Sequence, residues 1–195
     1  HISANDVASE TGMITYTQWL NERGTIEADL TVTKLAEDKY WIVATDTGYG
    51  HVEAWMNKHI PADAHAIYTD VTGAYGQLNI QGPRSRELMQ RLTSADMSNE
   101  AFPFRTARYI DIGMARVLCI RITYLGELGY ELYVPCEFAT QVYDHIVREG
   151  EQVGLVHAGL KALASLRMEK AHRDAGHDLD ATDPVPAAGP GVAAP

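Results

Sequence analysis

Two widely separated stretches each set an acidic side chain into a strand-like pattern. In Asn21-Glu22-Arg23-Gly24-Thr25-Ile26-Glu27-Ala28-Asp29-Leu30-Thr31-Val32-Thr33, the apolar residues Ile26, Ala28, Leu30 and Val32 alternate with Glu27, Asp29, Thr31 and Thr33. That period of two belongs to a strand with one buried face, and it turns Asp29 away from the core. In Thr123-Tyr124-Leu125-Gly126-Glu127-Leu128-Gly129-Tyr130-Glu131-Leu132-Tyr133, a glycine-punctuated turn follows Tyr124. Beyond it Tyr130, Leu132 and Val134 face one way, and Glu131 and Tyr133 face the other. An ionised carboxylate only accepts hydrogen bonds, so two of them beside a tyrosine in one cleft would hold N–H donors or move a proton. Taken singly, Asp29 and Glu131 read as solvated acids, and Tyr124 and Tyr130 as core or edge aromatics.

Other chemistries find no support in the residue spacing. His145, His157, His172 and His177 form neither an HxxxH pair nor a Cys/His quartet with zinc spacing, so no metal site is expected. Gly48-Tyr49-Gly50 and Gly73-Ala74-Tyr75-Gly76 lack the GxGxxG pattern and a P-loop lysine, which leaves them as turn glycines. There is no GxSxG elbow, and neither Cys119 nor Cys136 stands in an activating context or a CxxC pair, as expected of reduced thiols. The 195 residues carry a net charge of -10, which argues against nucleic-acid and anionic-membrane partners. Lys161, Arg167, Lys170 and Arg173, with His172, alternate with Glu169 and Asp174 and read as a solvated helix face. No apolar run nears the roughly 20 residues of a membrane span and no export signal is visible, so the expected location is cytoplasmic, or the mitochondrial matrix in a eukaryote.

The elements that must position these residues follow from the same patterns. After a polar lead over residues 1–12, Met13–Leu20, Ile26–Leu35 and Tyr40–Thr45 read as an antiparallel meander. A helix over Gly48–Ile60 ends at Pro61, and strands follow at Ala66–Val71 and Gln77–Gln81. Gly82-Pro83 opens a helix to Thr93, and Ala107–Ile112, Val117–Tyr124 and Tyr130–Val134 are strands. Helices Glu137–Gly150 and Ala158–His172 complete the ordered part. The order implies an α+β fold with antiparallel or mixed sheets and flanking helices. Residues 184–195, almost all Pro, Ala, Gly and Val, read as a flexible tail.

Taken together, the two stretches resemble the folate-binding domain shared by the glycine-cleavage aminomethyltransferase (T-protein) and the C-terminal half of sarcosine and dimethylglycine dehydrogenases. Tyr16 to Leu30 matches a strand tyrosine followed by N-x-x-G-G-x-x-x-D-L, with Thr25 in place of the second glycine. Ile80-Gln81-Gly82-Pro83 matches x-Q-G-P before a helix, and Tyr124 to Glu131 matches Y-x-G-E-x-G-x-E. Leu128, the segment Asp96–Phe104 and Leu166–Arg173 look most like sarcosine dehydrogenase. The arginine of the T-protein's A-R-D-S-L-R stretch falls on Leu163 here, which implies that its interaction with the pterin is either missing or made by another residue.

The resemblance implies an aminomethyltransferase-like domain over residues 13–183, short of the family domain at both ends, that binds tetrahydrofolate. Asp29 matches the family's catalytic aspartate, and Tyr16, Tyr124 and Glu131 match cofactor-binding positions. The implied reaction is capture of a methyl-derived iminium or formaldehyde as 5,10-methylenetetrahydrofolate. FAD would then be bound by a domain or subunit outside this chain, since no flavin motif is present. The alternatives are a stand-alone aminomethyltransferase of the glycine-cleavage type, which Leu163 disfavours, and a non-catalytic folate-binding protein or fragment.

Overall fold

The computed structural model describes residues 2–45, 48–173 and 175–184, with only the backbone of Tyr49. The fold is α+β, and the chain forms two compact units, one of residues 1–70 with 171–195 and one of residues 71–170.

In the first unit β1 (Ile14–Leu20), β2 (Ile26–Ala36) and β3 (Lys39–Ala44) form the expected antiparallel meander in the order β1-β2-β3. One face of this sheet carries Trp19, Ala28, Leu30 and Val32, which pack on Val52 of α1 (Tyr49–His59) with Trp55 and Met56. The polar lead has a structural part that its composition did not suggest. Ser3 bridges Trp19, Ala4 N donates to Gln18 O at 2.8 Å and Leu20 N to Ile2 O at 2.9 Å, so residues 2–4 satisfy two backbone groups on the outer edge of β1. At the other end of the chain Pro184 bridges Thr25, and Ile26 N donates to Asp183 O at 3.1 Å. The expected tail from residue 185 onward lies outside the described residues.

The second unit is a four-stranded antiparallel sheet in the order β4-β7-β6-β5, from Tyr75–Gln81, Gly129–Pro135, Ala115–Arg121 and Thr106–Ile112. Ile80, Tyr130, Leu132, Val134, Val117 and Ile110 build its core with Leu88, Met89 and Leu92 of α2 (Ser85–Leu92) and Val142 and Ile146 of α3 (Ala139–Gly150). α4 (Leu160–Met168) closes the unit.

Two expectations fail here for physical reasons. Residues 66–70 form no strand. They lie mostly exposed, Ile67 at 87%, so the side chains have no core face to bury, and strand propensity reflects such packing more than residue type. β6 stops at Arg121 rather than Tyr124, and its pairing with β7 covers only Leu118 to Ile120, so Tyr124 lies in the loop between them.

Candidate functional site

In the first unit the alternation of β2 holds from Ile26 to Val32. Ile26, Ala28 and Leu30 are buried while Glu27 and Asp29 are half-buried on the opposite face. The β1–β2 register sets Gln18 across from Asp29 and Tyr16 across from Thr31. Tyr16, Gln18, Asp29 and Thr31 therefore share one face, and the structure brings two of the expected residues, Asp29 and Tyr16, onto adjacent rungs of it. The turn before β2 is built by Asn21. Its Oδ1 accepts from Arg23 N and Thr25 N, and its Nδ2 donates to Thr25 Oγ1 and to Glu27 Oε1, both at 2.7 Å. Gly24 takes φ +77, a conformation that favours glycine. His51 Nε2 lies 2.9 Å from Glu27 Oε2, so Glu27 is engaged within the fold.

Composition did not single out Gln18. It is wholly buried, and neither atom of its carboxamide has a hydrogen-bond partner among the described residues. A signal existed in the sequence, since Gln18 follows Tyr16 by the strand period of two.

In the second unit the motif residues hold one another. Gly82 N donates to Leu128 O at 2.8 Å, and Ser85 Oγ donates to the same oxygen at 3.0 Å. Thr123 Oγ1 donates to Gln81 Oε1 at 3.0 Å and accepts from Gly126 N at 3.1 Å. A Cβ on Gly129 would sit 1.8 Å from Gln81 Oε1, so glycine there leaves room for the Gln81 side chain. This interlock shapes a cleft of about 310 Å³ lined by Arg121, Thr123 and the turn from Gly126 to Gly129. Arg121 is buried and donates to the carbonyl of Phe102, which secures the loop before β5.

Glu131 stands on β7 opposite Asn79, on the face away from the core. Tyr133 Oη donates to Glu131 Oε2 at 2.7 Å, and Gln77 Nε2 donates to Tyr133 Oη at 3.3 Å. Burial raises the Glu131 carboxyl above its ordinary range, although hydrogen bonds from Tyr133 and Gln77 act the other way. Burial and the neighbouring Glu131 push the Tyr133 phenol up, so it remains a donor. A carboxyl so placed gains from any further N–H donors that favour its charged form.

Tyr124 presents its ring to the guanidinium of Arg167, 5.8 Å from the ring centroid. This corrects the reading of Arg167 as part of a solvated helix face. Lys161 and Lys170 are exposed, but Arg167 is only 9% exposed and is the one described residue of α4 that is buried. Arg173 lies beyond the end of the helix, and Asp174 is outside the described residues. Asp29 and Tyr16 belong to the first unit, and Glu131 and Tyr124 to the second. Among the described residues no group of His, Cys, Asp and Glu is arranged to hold a metal ion. No described helix is long and apolar enough to cross a membrane.

The model of the GCVT N-terminal domain matches residues 1–194. The chain belongs to that family. The 4-methylaminobutanoate oxidase (formaldehyde-forming) of Paenarthrobacter nicotinovorans is 36% identical to it over 184 residues, 94% of this chain and 22% of that protein. The mitochondrial sarcosine dehydrogenase of Mus musculus is 35% identical over 91% of this chain and 21% of its own length. The mitochondrial pyruvate dehydrogenase phosphatase regulatory subunit of the same organism is 33% identical over 92% and 21%. The chain thus spans 21% to 22% of the length of these relatives. Among solved structures, glycine cleavage system aminomethyltransferase T from Bartonella henselae superposes with a TM-score of 0.75 over 94% of this chain and 48% of that one. At 22% identity this likeness is one of fold. The family read from Asn21–Leu30, Gln81-Gly82-Pro83 and Tyr124–Glu131 is borne out, as is its relation to both dehydrogenases and aminomethyltransferases.

Proposed function

We propose that this GCVT domain binds tetrahydrofolate and serves as the one-carbon acceptor of an enzyme that oxidises N-methyl amines such as sarcosine or dimethylglycine. The observation that carries this reading is Asp29, a half-buried carboxylate on the polar face of β2 in a chain whose family includes such enzymes. The residues present suit the group. Glu131 is a half-buried acceptor, and the Gln18 carboxamide is buried without partners among the described residues, which fits a ligand rich in ring N–H and C=O groups. When bound, tetrahydrofolate supplies nucleophilic nitrogens that take up a one-carbon unit as the 5,10-methylene form. Glu131 would accept the pair of N–H groups at the pterin edge, and Tyr16 and Tyr124 would offer ring faces or hydroxyls. Asp29 would stabilise passing positive charge and accept a proton. FAD would bind in a part of the enzyme outside residues 1–195, where the amine is oxidised.

Asp29→Ala should cost about 2.7–4 kcal/mol of transition-state stabilisation, a hundredfold or more in rate, while tetrahydrofolate affinity stays within a few fold. The test is single-turnover capture of a chemically supplied iminium, measured against the uncatalysed rate. Equal losses in binding and turnover would overturn the role of Asp29. A second reading, folate binding in a regulatory protein, draws support from the 33% identity to the phosphatase regulatory subunit. Tight binding by the unaltered chain with no rate above the uncatalysed reaction would favour it.

A further inference from the structure

Gln18 lies in the middle of β1 with 0% of its surface exposed. Its backbone carbonyl accepts from Ala4 N at 2.8 Å. Its side chain has no such partner. Both Oε1 and Nε2 are buried and neither has a partner among the described residues. A second orphan lies on the same face, where Thr33 Oγ1 is buried without a partner and the register sets Thr33 across from Ile14. Native proteins leave few such groups, because an unmade buried hydrogen bond forfeits the solvation the group had in water. A leucine would fill the same place without that cost. The carboxamide therefore has a use that the protein alone does not reveal.

Its position indicates the use. Gln18 is directly opposite Asp29, and directly opposed antiparallel residues hold their Cβ atoms about 4.5–5.5 Å apart on one face. We infer that Gln18 is a ligand-contacting residue of the Asp29 site, with Nε2 donating to a C=O or ring nitrogen and Oε1 accepting from a ring N–H of the bound molecule. A carboxamide is suited to an edge on which a donor and an acceptor stand side by side, as they do on a reduced pteridine. An ionised carboxylate, which only accepts, cannot read such an edge. The inference rests on the proposed binding of tetrahydrofolate and adds the residue that would select for the ring edge facing Asp29.

The test uses the full chain and its Gln18→Leu and Gln18→Asn variants, with calorimetric titration of tetrahydrofolate and melting of the ligand-free proteins. Gln18→Leu should weaken binding by about tenfold or more while the ligand-free protein melts at or above the wild-type temperature. Gln18→Asn, which keeps the amide but withdraws it by one methylene, should lose less affinity. Wild-type affinity in Gln18→Leu would overturn the inference and leave the folate reading standing. So would a Gln18→Leu protein that fails to fold beside a Gln18→Asn protein of wild-type affinity, because the amide would then belong to the native packing. Failure of the unaltered chain to bind tetrahydrofolate would overturn both.

Discussion

Glu131 shows how one residue's surroundings set its chemistry. Its pKa lies above the ordinary 4.5, chiefly because the carboxyl is buried. The folded state therefore binds the proton more tightly than the unfolded chain. The stabilisation is fully present below the unfolded value and is lost as pH rises through the folded value. Glu131→Gln carries a permanently neutral side chain of the same shape. Its melting temperature, relative to wild type, should rise as pH is raised from about 4 to about 7. A difference that stays constant across that range would contradict the burial argument. Asp29 was legible from its stretch because a sheet covered on one side by α1 enforces a strict alternation. For Gln18 the period of two gives only the face it shares with Tyr16, because its place opposite Asp29 depends on the register between β1 and β2 and its burial on packing, neither of which a single strand encodes. Arg167 was misread for a similar reason, since its guanidinium lies over Tyr124, more than forty positions earlier.

At the scale of elements, the loop between β6 and β7 is shaped by glycines that the motif carries. Gly126 has φ +78, and a Cβ there would lie 2.1 Å from Lys170 Cγ. Gly154 has a similar φ of +73 with nothing within 4 Å, so it isolates the backbone cost. Gly154→Ala should lose about 1–2 kcal/mol in denaturant titration, and Gly126→Ala should lose more because the side chain of Lys170 must also move. Equal losses would show that the packing against α4's C-terminal side carries no weight. The strands and helices were readable wherever an apolar period met a partner, as in β2, β7 and α2. The reading failed at Ala66–Val71, where residue types suit a strand but the side chains stay exposed instead of packing on a core, and in the lead, where the backbone of Ile2 to Ala4 pairs with β1 whatever its side chains.

At the scale of the whole molecule, each unit has its own sheet and its own core, and the chain passes from the first to the second near Asp70 and Val71 and back near Lys170 and Ala171. Residues 61–74 are exposed apart from Tyr68 and hold no regular structure before the 3-10 turn at Thr72–Ala74. Limited proteolysis should therefore cut first within residues 61–71, which mass spectrometry of the early fragments would show. First cuts inside β2 or β7 would contradict this division. Alternation and three short motifs carry the fold and the family. The most direct measurement is calorimetric titration of the unaltered chain with tetrahydrofolate under reducing conditions. Saturable binding at one site per chain is the expected result, and the absence of any saturable heat across the millimolar range would contradict the account.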